Sequence, residues 1–362
     1  MSIDRRTFLL KAMAAAGTTC AAVATGCSRR RASSPLSDAA QYLWAQQAKD
    51  GGFHSKTYGL MRSGQSMTPF ILLALLGVPE SESSRPSGAV DRALAFIKAN
   101  TNADGALGLM DETAADYPNY ATALAICAAV KVRNPGYEKV IEPMITQLRA
   151  QQFSEANGWG SQAGPYGGWG MGGAIHRPPE TGHVDLSMTR HVLEALQLSG
   201  VAAFDPSMTR ALVYLQRSQN PDGGFYFSTV NPEINKAGAG NGRFASYGTA
   251  TADGVLALRA AGVSEEDARM AKAIEWLKRH HRPDCAPGFD EASGKQWESG
   301  LRFYYAHAIS RVLPDLPVEL PPQSADGSFR NSVNLVKEDD PLIATTFALY
   351  VLARSLSRTS AA

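Results

Sequence analysis

The sequence predicts an all-α protein assembled from one repeated unit: an amphipathic helix, a glycine-rich turn and a second, more apolar helix. Three observations lead there. First, "LQRSQNPDGGFYFS" (Leu215 to Ser228) is echoed by "WAQQAKDGGFHS", "IKANTNADGALG" and "LRAQQFSEANGWGS", and a recurring signal marks one architectural unit used repeatedly. Second, a segment of helical period stands before most of these turns and another follows. Third, no segment alternates with the period of a strand over any length.

The helices before the turns are "DAAQYLWAQQ", "AVDRALAFIKA", "YEKVIEPMITQLRAQQ", "PSMTRALVYLQRSQ" and "EDARMAKAIEWLKRHH". Each sets apolar residues three and four apart with charges between them, the pattern of a helix with one wet face. The helices after the turns are "MTPFILLALLG", "NYATALAICAAV", "DLSMTRHVLEALQLSG", "YGTATADGVLALRAAG", "LRFYYAHAISRVL" and "PLIATTFALYVLARSL". These carry fewer charges and more alanine, as helices packed on both sides do.

Each turn is phased on an apolar anchor: Phe53, Leu107, Trp159, Phe225, Phe289 and Phe329. In "NPDGGF" the chain must stop a helix and reverse. Pro221 and Asp222 favour the turn, Gly223 and Gly224 supply backbone freedom, and Phe225 plugs the layer below. Gln46, Gln152 and Gln219 stand at helix ends, where their amides can bond exposed carbonyls or a neighbouring loop.

The chain has 362 residues, enough for one large domain, and a formal net charge of +1. That balance gives no field to attract nucleic acid. Two of its four cysteines, Cys20 and Cys27, precede the first repeat, leaving Cys127 and Cys285, too few for a disulfide framework.

The leader, residues 1–27, reads as an export signal. In "DRRTFLLKAMAAAGTTCAAVATGC", Arg5 and Arg6 with Phe8 and Leu9 resemble a twin-arginine motif, and "ATGC" resembles a lipobox whose Cys27 is acylated. The resemblance implies export to the periplasmic side and a membrane anchor through the N-terminal lipid. "SRRRASSPL", residues 28–36, has the composition of a flexible linker.

Gln near a helix end, then Gly and an aromatic anchor, resembles the repeat of squalene and hopene cyclases and of protein prenyltransferase β subunits. The resemblance spans Ser37 to Ser355 and implies an α/α toroid over residues 37–356, with a short tail at 357–362. Such a toroid has about six inner helices ringed by five or six outer ones around an apolar cavity. "PDLPVELPPQSADGSF" is too proline-rich for a full sixth outer helix, so an extended or one-turn segment is expected there.

The chemistry of those families is not matched. A cyclase resembling them would carry a D-x-D-D acid, which is absent; the carboxylates left to consider are Asp185, Asp253 and Asp340. Asp340 before Pro341 reads as a helix N-cap, and Asp185 as either a cap or a cavity residue. "HHRPDCAPGF" gathers His280, His281, Asp284 and Cys285, yet the prenyltransferase zinc ligands fall elsewhere, so no metal and no cofactor are expected.

The long insertion "GWGSQAGPYGGWGMGGAIHRPPETGHVDLS" sets Trp159, Tyr166 and Trp169 among glycines. Aromatics are costly to leave in water, so the loop is expected to pack over the barrel mouth and bring His176 and His183 near it. Tyr120, Trp169, His183, Asp185, Tyr247, Arg302, Tyr304, Tyr305 and His307 are the expected ligand-binding set. The expected partner is an apolar small molecule, an isoprenoid or lipid. A scaffold docking a protein, and an enzyme using an atypical acid, stand as alternatives. If Cys27 carries the anchor, Cys27→Ser moves the protein from the membrane fraction to the soluble periplasm; unchanged fractionation would refute lipidation.

Overall fold

The computed structural model describes residues 34–110, 115–133, 135–240, 243–289 and 295–359. The leader with Cys27 and most of the linker lie outside the described residues, as does the chain end from 360. Among the described residues, helices dominate and the strands are two-residue pairs.

Five outer helices bury one stripe each: α1 (Pro35–Ala45), α3 (Ala89–Asn100), α5 (Glu138–Ala150), α7 (Pro206–Ser218) and α9 (Ala268–His280). In α9 only Met270, Ala273, Trp276 and Leu277 are buried. Six inner helices are covered on both sides: α2 (Met67–Leu75), α4 (Pro118–Val132), α6 (Leu186–Leu198), α8 (Gly248–Ala260), α11 (Arg302–Val312) and α12 (Pro341–Thr359). The short α10 (Trp297–Gly300) leads into α11. Of α8, every residue but Arg259 is buried. Each inner helix packs on the next and α12 packs back on α2, with α1 against α12. The chain closes a ring of helix pairs, an α/α toroid.

The sixth outer position is filled by extended chain between α11 and α12, where Pro314, Pro317, Pro321 and Pro322 forbid a helix. Two antiparallel strand pairs, β1 (Trp169–Gly170) with β2 (Val184–Asp185) and β3 (Ala239–Gly240) with β4 (Arg243–Phe244), pin the two long insertions.

The turns are built alike. The glutamine amide bridges its own turn and the next outer helix. Gln47 Nε2 donates to Gly51 O at 3.0 Å and Ala89 O at 2.8 Å. Gln152 does the same to Gly167 O and Ser207 O, and Gln219 to Gly223 O and Arg269 O. Gln323 spans Gly327 O and Pro35 O, tying the last turn to α1. Gln47, not Gln46, makes the first bridge, and Gln323 extends the set. The expected third anchor, Trp159, is replaced by Trp169. Its N–H donates to Thr189 Oγ1 at 3.0 Å, as Phe53 does to Thr68, Leu107 to Thr122, Phe225 to Thr251 and Phe329 to Thr345.

The turn at Gly223 shows why glycine is required. Its φ is +93° and a Cβ would sit 2.6 Å from Lys272 O in α9. Gly51, Gly105, Gly167 and Gly327 meet the backbone of α3, α5, α7 and α1 in the same way. Gly223→Ala therefore destabilises through both strain and collision. Phe225, fully buried, should cost about 3–5 kcal/mol on truncation to Ala. Chemical denaturation of both variants checks this; melting of Phe225→Ala like the parent would remove the anchor from the account of the fold.

Candidate functional site

Because the outer-to-inner turns all lie at one end, the N-termini of the six inner helices converge there. They surround a cavity of about 220 Å³. Met67 and Phe70 of α2, Tyr120 of α4, Ser187 and Met188 of α6, Asp253 of α8, Tyr304 of α11 and Phe347 of α12 line it. The mouth is rimmed by half-buried Met61, Tyr117, Phe227, Lys236, Val336 and Lys337. The wall is mostly aromatic and thioether, with one polar side.

That side is a hydrogen-bonded chain. Tyr304 Oη donates to Asp253 Oδ2 at 2.8 Å and lies 2.8 Å from Ser187 Oγ. Behind Asp253, fully buried Arg190 stands 3.6 Å from Asp253 Oδ1 and 3.2 Å from Glu194. Glu194 also pairs with Arg311 at 2.8 Å. Arg190 Nη1 donates to His191 Nε2 at 2.8 Å, and His191 Nδ1 meets Ser187 O at 2.8 Å, which fixes a neutral imidazole. Burial, reinforced by Arg190, holds His191 well below its usual range.

The carboxyls split. Burial would raise Glu194, but Arg190 and Arg311 outweigh it and hold it at about 2. For Asp253 burial wins over Arg190 and Tyr304, pushing it up to about 6. Glu338, on the cavity wall, is pushed by burial to about 7 although it accepts from Phe303 N, Tyr304 N and Asn331 Nδ2. Lys236, its Nζ 3.9 Å above the Phe227 ring, is lowered by burial to about 8.

The structure brings Tyr120, Tyr247, Tyr304 and Asp253 to the cavity wall. Trp169 is instead a structural anchor, its Nε1 bonded to Leu148 O. Asp185 caps α6 through Met188 N and bonds His183 Nε2 at 2.7 Å. His183 and His176 line a separate cleft of about 50 Å³ rather than the central cavity. Their insertion is packed as expected: Trp159, Tyr166 and Trp169 are buried. Arg302 reaches away to Glu319 O, and Tyr305 Oη meets His281 Nδ1. His307 lies deeper, stacked on Tyr350 at 4.6 Å and outside the lining. Asp340 caps α12 through Leu342 N and accepts from Ser55 Oγ. Among the described residues no group of three His, Cys, Asp or Glu side chains is placed to hold a metal. His280 is spent on Trp276, bonding its carbonyl and stacking on its ring.

Sequence reasoning missed Lys236, Lys337 and Arg190. Two lie in or beside long connecting segments with no periodicity to place them. Arg190 sits in "SMTRHV", where a charge one residue after Thr189 on an apolar helix was the available signal.

A prenyltransferase alpha-alpha toroid domain model matches residues 19–168, and a squalene-hopene cyclase C-terminal domain model matches residues 179–302. Together the two matches make the chain similar to the α/α toroids of squalene-hopene cyclases and prenyltransferases. Solved structures share this toroid. An unsaturated glucuronyl hydrolase specific for heparin aligns with a TM-score of 0.58 at 11% identity, over 90% of this chain and 97% of that one. The Candida albicans protein geranylgeranyltransferase-I complexed with GGPP aligns at 0.55 and 12% identity, over 90% and 92%. A family 76 mannosidase from Bacteroides thetaiotaomicron aligns at 0.54 and 12%, over 90% and 100%. Such identities show the fold alone, and that fold carries more than one chemistry. No curated protein matches the sequence.

Asp253 gives a pH test. Its value, raised from 3.8 to about 6, means that the folded toroid holds this proton longer than the unfolded chain. Its contribution to stability is complete below about pH 4 and lost as pH rises through 6. Asp253→Asn has no proton to lose, so its stability relative to the parent should rise by about 2 kcal/mol between pH 4 and 7. Parallel melting curves across that window check it; a constant difference would place Asp253 outside the burial regime assigned to it.

Proposed function

We propose that the toroid binds a small apolar ligand, an isoprenoid or lipid tail, in its central cavity. The carrying observation is the lining: Phe70, Tyr120, Phe347, Met67 and Met188 face one space. Aromatic and thioether walls suit apolar guests of irregular shape. A dry cavity of about 150 Å³ holds a benzene ring, so this cavity of about 220 Å³ suits about ten carbons. The expected export and acylation at Cys27 would hold such a receptor at a membrane, beside a source of apolar molecules.

A second reading, acid chemistry on the ligand, is favoured by Asp253 alone. A carboxyl with a value of about 6, hydrogen-bonded by a tyrosine at the polar side of an apolar cavity, suits proton transfer near neutrality. A scaffold role has less support, because a partner-docking toroid needs no internal cavity.

Native mass spectrometry and solvent extraction of the purified full chain test the binding reading. The parent should carry a co-purifying apolar molecule, and Met188→Trp, which fills the cavity, should lose it while keeping its melting temperature within a few degrees. Ligand retained equally by Met188→Trp would remove the cavity as the binding site.

A further inference from the structure

The cleft beside the third turn is a second built recess, of about 50 Å³, formed where the long insertion folds onto the start of α4 and the end of α5. His176 and His183 of the insertion line it, together with the carboxamides of Asn119, Gln151 and Asn157. Among the described residues no lysine, arginine or carboxylate reaches its wall. It has room for an ion with a water or two.

Each imidazole keeps a nitrogen free. His183 Nε2 bonds Oδ2 of buried Asp185 at 2.7 Å, so in the neutral ring Nε2 carries the proton and Nδ1 keeps its lone pair. A carboxylate behind an imidazole is the arrangement that orients metal-binding histidines and makes them better bases. His176 is held by its ring face, stacked on Phe153 at 6.4 Å with 4° between the planes. Among the described residues neither of its nitrogens makes a hydrogen bond. The two rings are neighbours through Gly182, the residue before His183, where a Cβ would run into the His176 ring. The amides complete the wall. Asn119 Nδ2 donates to Gly170 O, Gln151 Nε2 to Gly173 O, and Asn157 Nδ2 to Ala150 O and Gln152 O. Those bonds settle which amide atom is the oxygen. The three oxygens accept nothing from the described residues and are not sealed from solvent, so they stand as open acceptors.

We propose that this cleft binds one borderline divalent cation of the zinc, cobalt or nickel kind, through His183 Nδ1 and a ring nitrogen of His176. A carboxamide oxygen and water complete the shell, since two histidines are fewer than the side chains of a closed protein-made site. Imidazole suits these ions, whereas calcium and magnesium call for carboxylate oxygens that the wall lacks. Asp185 is a positioning residue: it holds His183 and does not touch the ion. The bound ion ties the insertion, through His176 and His183, to α4 and α5, through Asn119 and Gln151. The cleft is separate from the central cavity, so the proposal does not depend on the ligand-binding reading.

Calorimetric titration of the tag-free full chain, stripped with a chelator, with Zn²⁺, Ni²⁺ and Ca²⁺ tests the assignment. Zinc and nickel should each bind one equivalent and raise the melting temperature, and calcium should do neither. His176→Gln and His183→Gln should each weaken zinc binding about tenfold or more, and Asp185→Asn, which can still cap α6, about tenfold. His280→Asn, at the end of α9, should leave it unchanged. In the unsubstituted chain zinc should also protect His176 and His183 from diethyl pyrocarbonate, read by peptide mass, which keeps the test independent of how the variants fold. Zinc that still binds the His176→Gln/His183→Gln double variant, or that leaves both histidines reactive, would overturn the site. Calcium bound as tightly as zinc would overturn the imidazole assignment and give the cleft to its oxygens. No binding of zinc or nickel would overturn the proposal outright.

Discussion

The toroid depends on one contact made again and again: the turn after an outer helix must touch the backbone of the next outer helix. At Gly223 the approach leaves no room for a Cβ against Lys272 O, and the Gln219 amide closes the same gap by bonding Gly223 O and Arg269 O. A helix end leaves carbonyls unsatisfied, and the glutamine satisfies one at each side of the junction. The anchor N–H then bonds a threonine on the following inner helix, so one turn joins three helices. Gln323 repeats the device across the seam, bonding Pro35 O of α1. The same junction thus serves between neighbouring repeats and, at the seam, between the two ends of the chain.

This constraint also places the site. Turns that hold outer helices at one end bring all six inner N-termini to that end. Their amides call for acceptors, and Asp116, Asp185, Glu338 and Asp340 supply them. The carboxylates that sequence reasoning weighs as acids are therefore mostly caps. Asp253 differs because it sits within α8, past the first turn, where no free amide awaits it. Burial dominates its ionisation for that reason.

Helical periodicity, the turn glycines and the anchors were legible because they follow from local rules: one wet face, one reversal, one plug. The extended sixth outer segment was legible from its prolines. The choice of Trp169 over Trp159 was not. Both tryptophans precede apolar helix and follow glycine, and only the inserted residues between Gln152 and Gly167 decide which one meets Thr189. Nor could sequence separate tyrosines on one inner helix. Tyr304 faces the cavity and Tyr305 faces His281, because adjacent helix residues point about 100° apart and the phase is set by packing. Lys236 and Lys337 had no periodic context at all.

The charged floor bears on whether the cavity is used. Arg190, Glu194, Arg311 and Asp253 lie where a ring of apolar helices would pack well with leucine or methionine. Replacing buried ion pairs with apolar side chains is often neutral or stabilising, so the fold alone gives little reason to keep them. The network is also incompletely satisfied: Asp253 Oδ1 accepts no hydrogen bond, and Arg190 Nε lacks a well-aligned one. Half-satisfied buried polar groups weigh against stability. Their position directly behind Tyr304 and Ser187 makes them the support of the one polar side of an otherwise apolar wall. A toroid serving only as a scaffold would gain by filling this space, whereas one that orients a bound molecule gains a fixed dipolar wall.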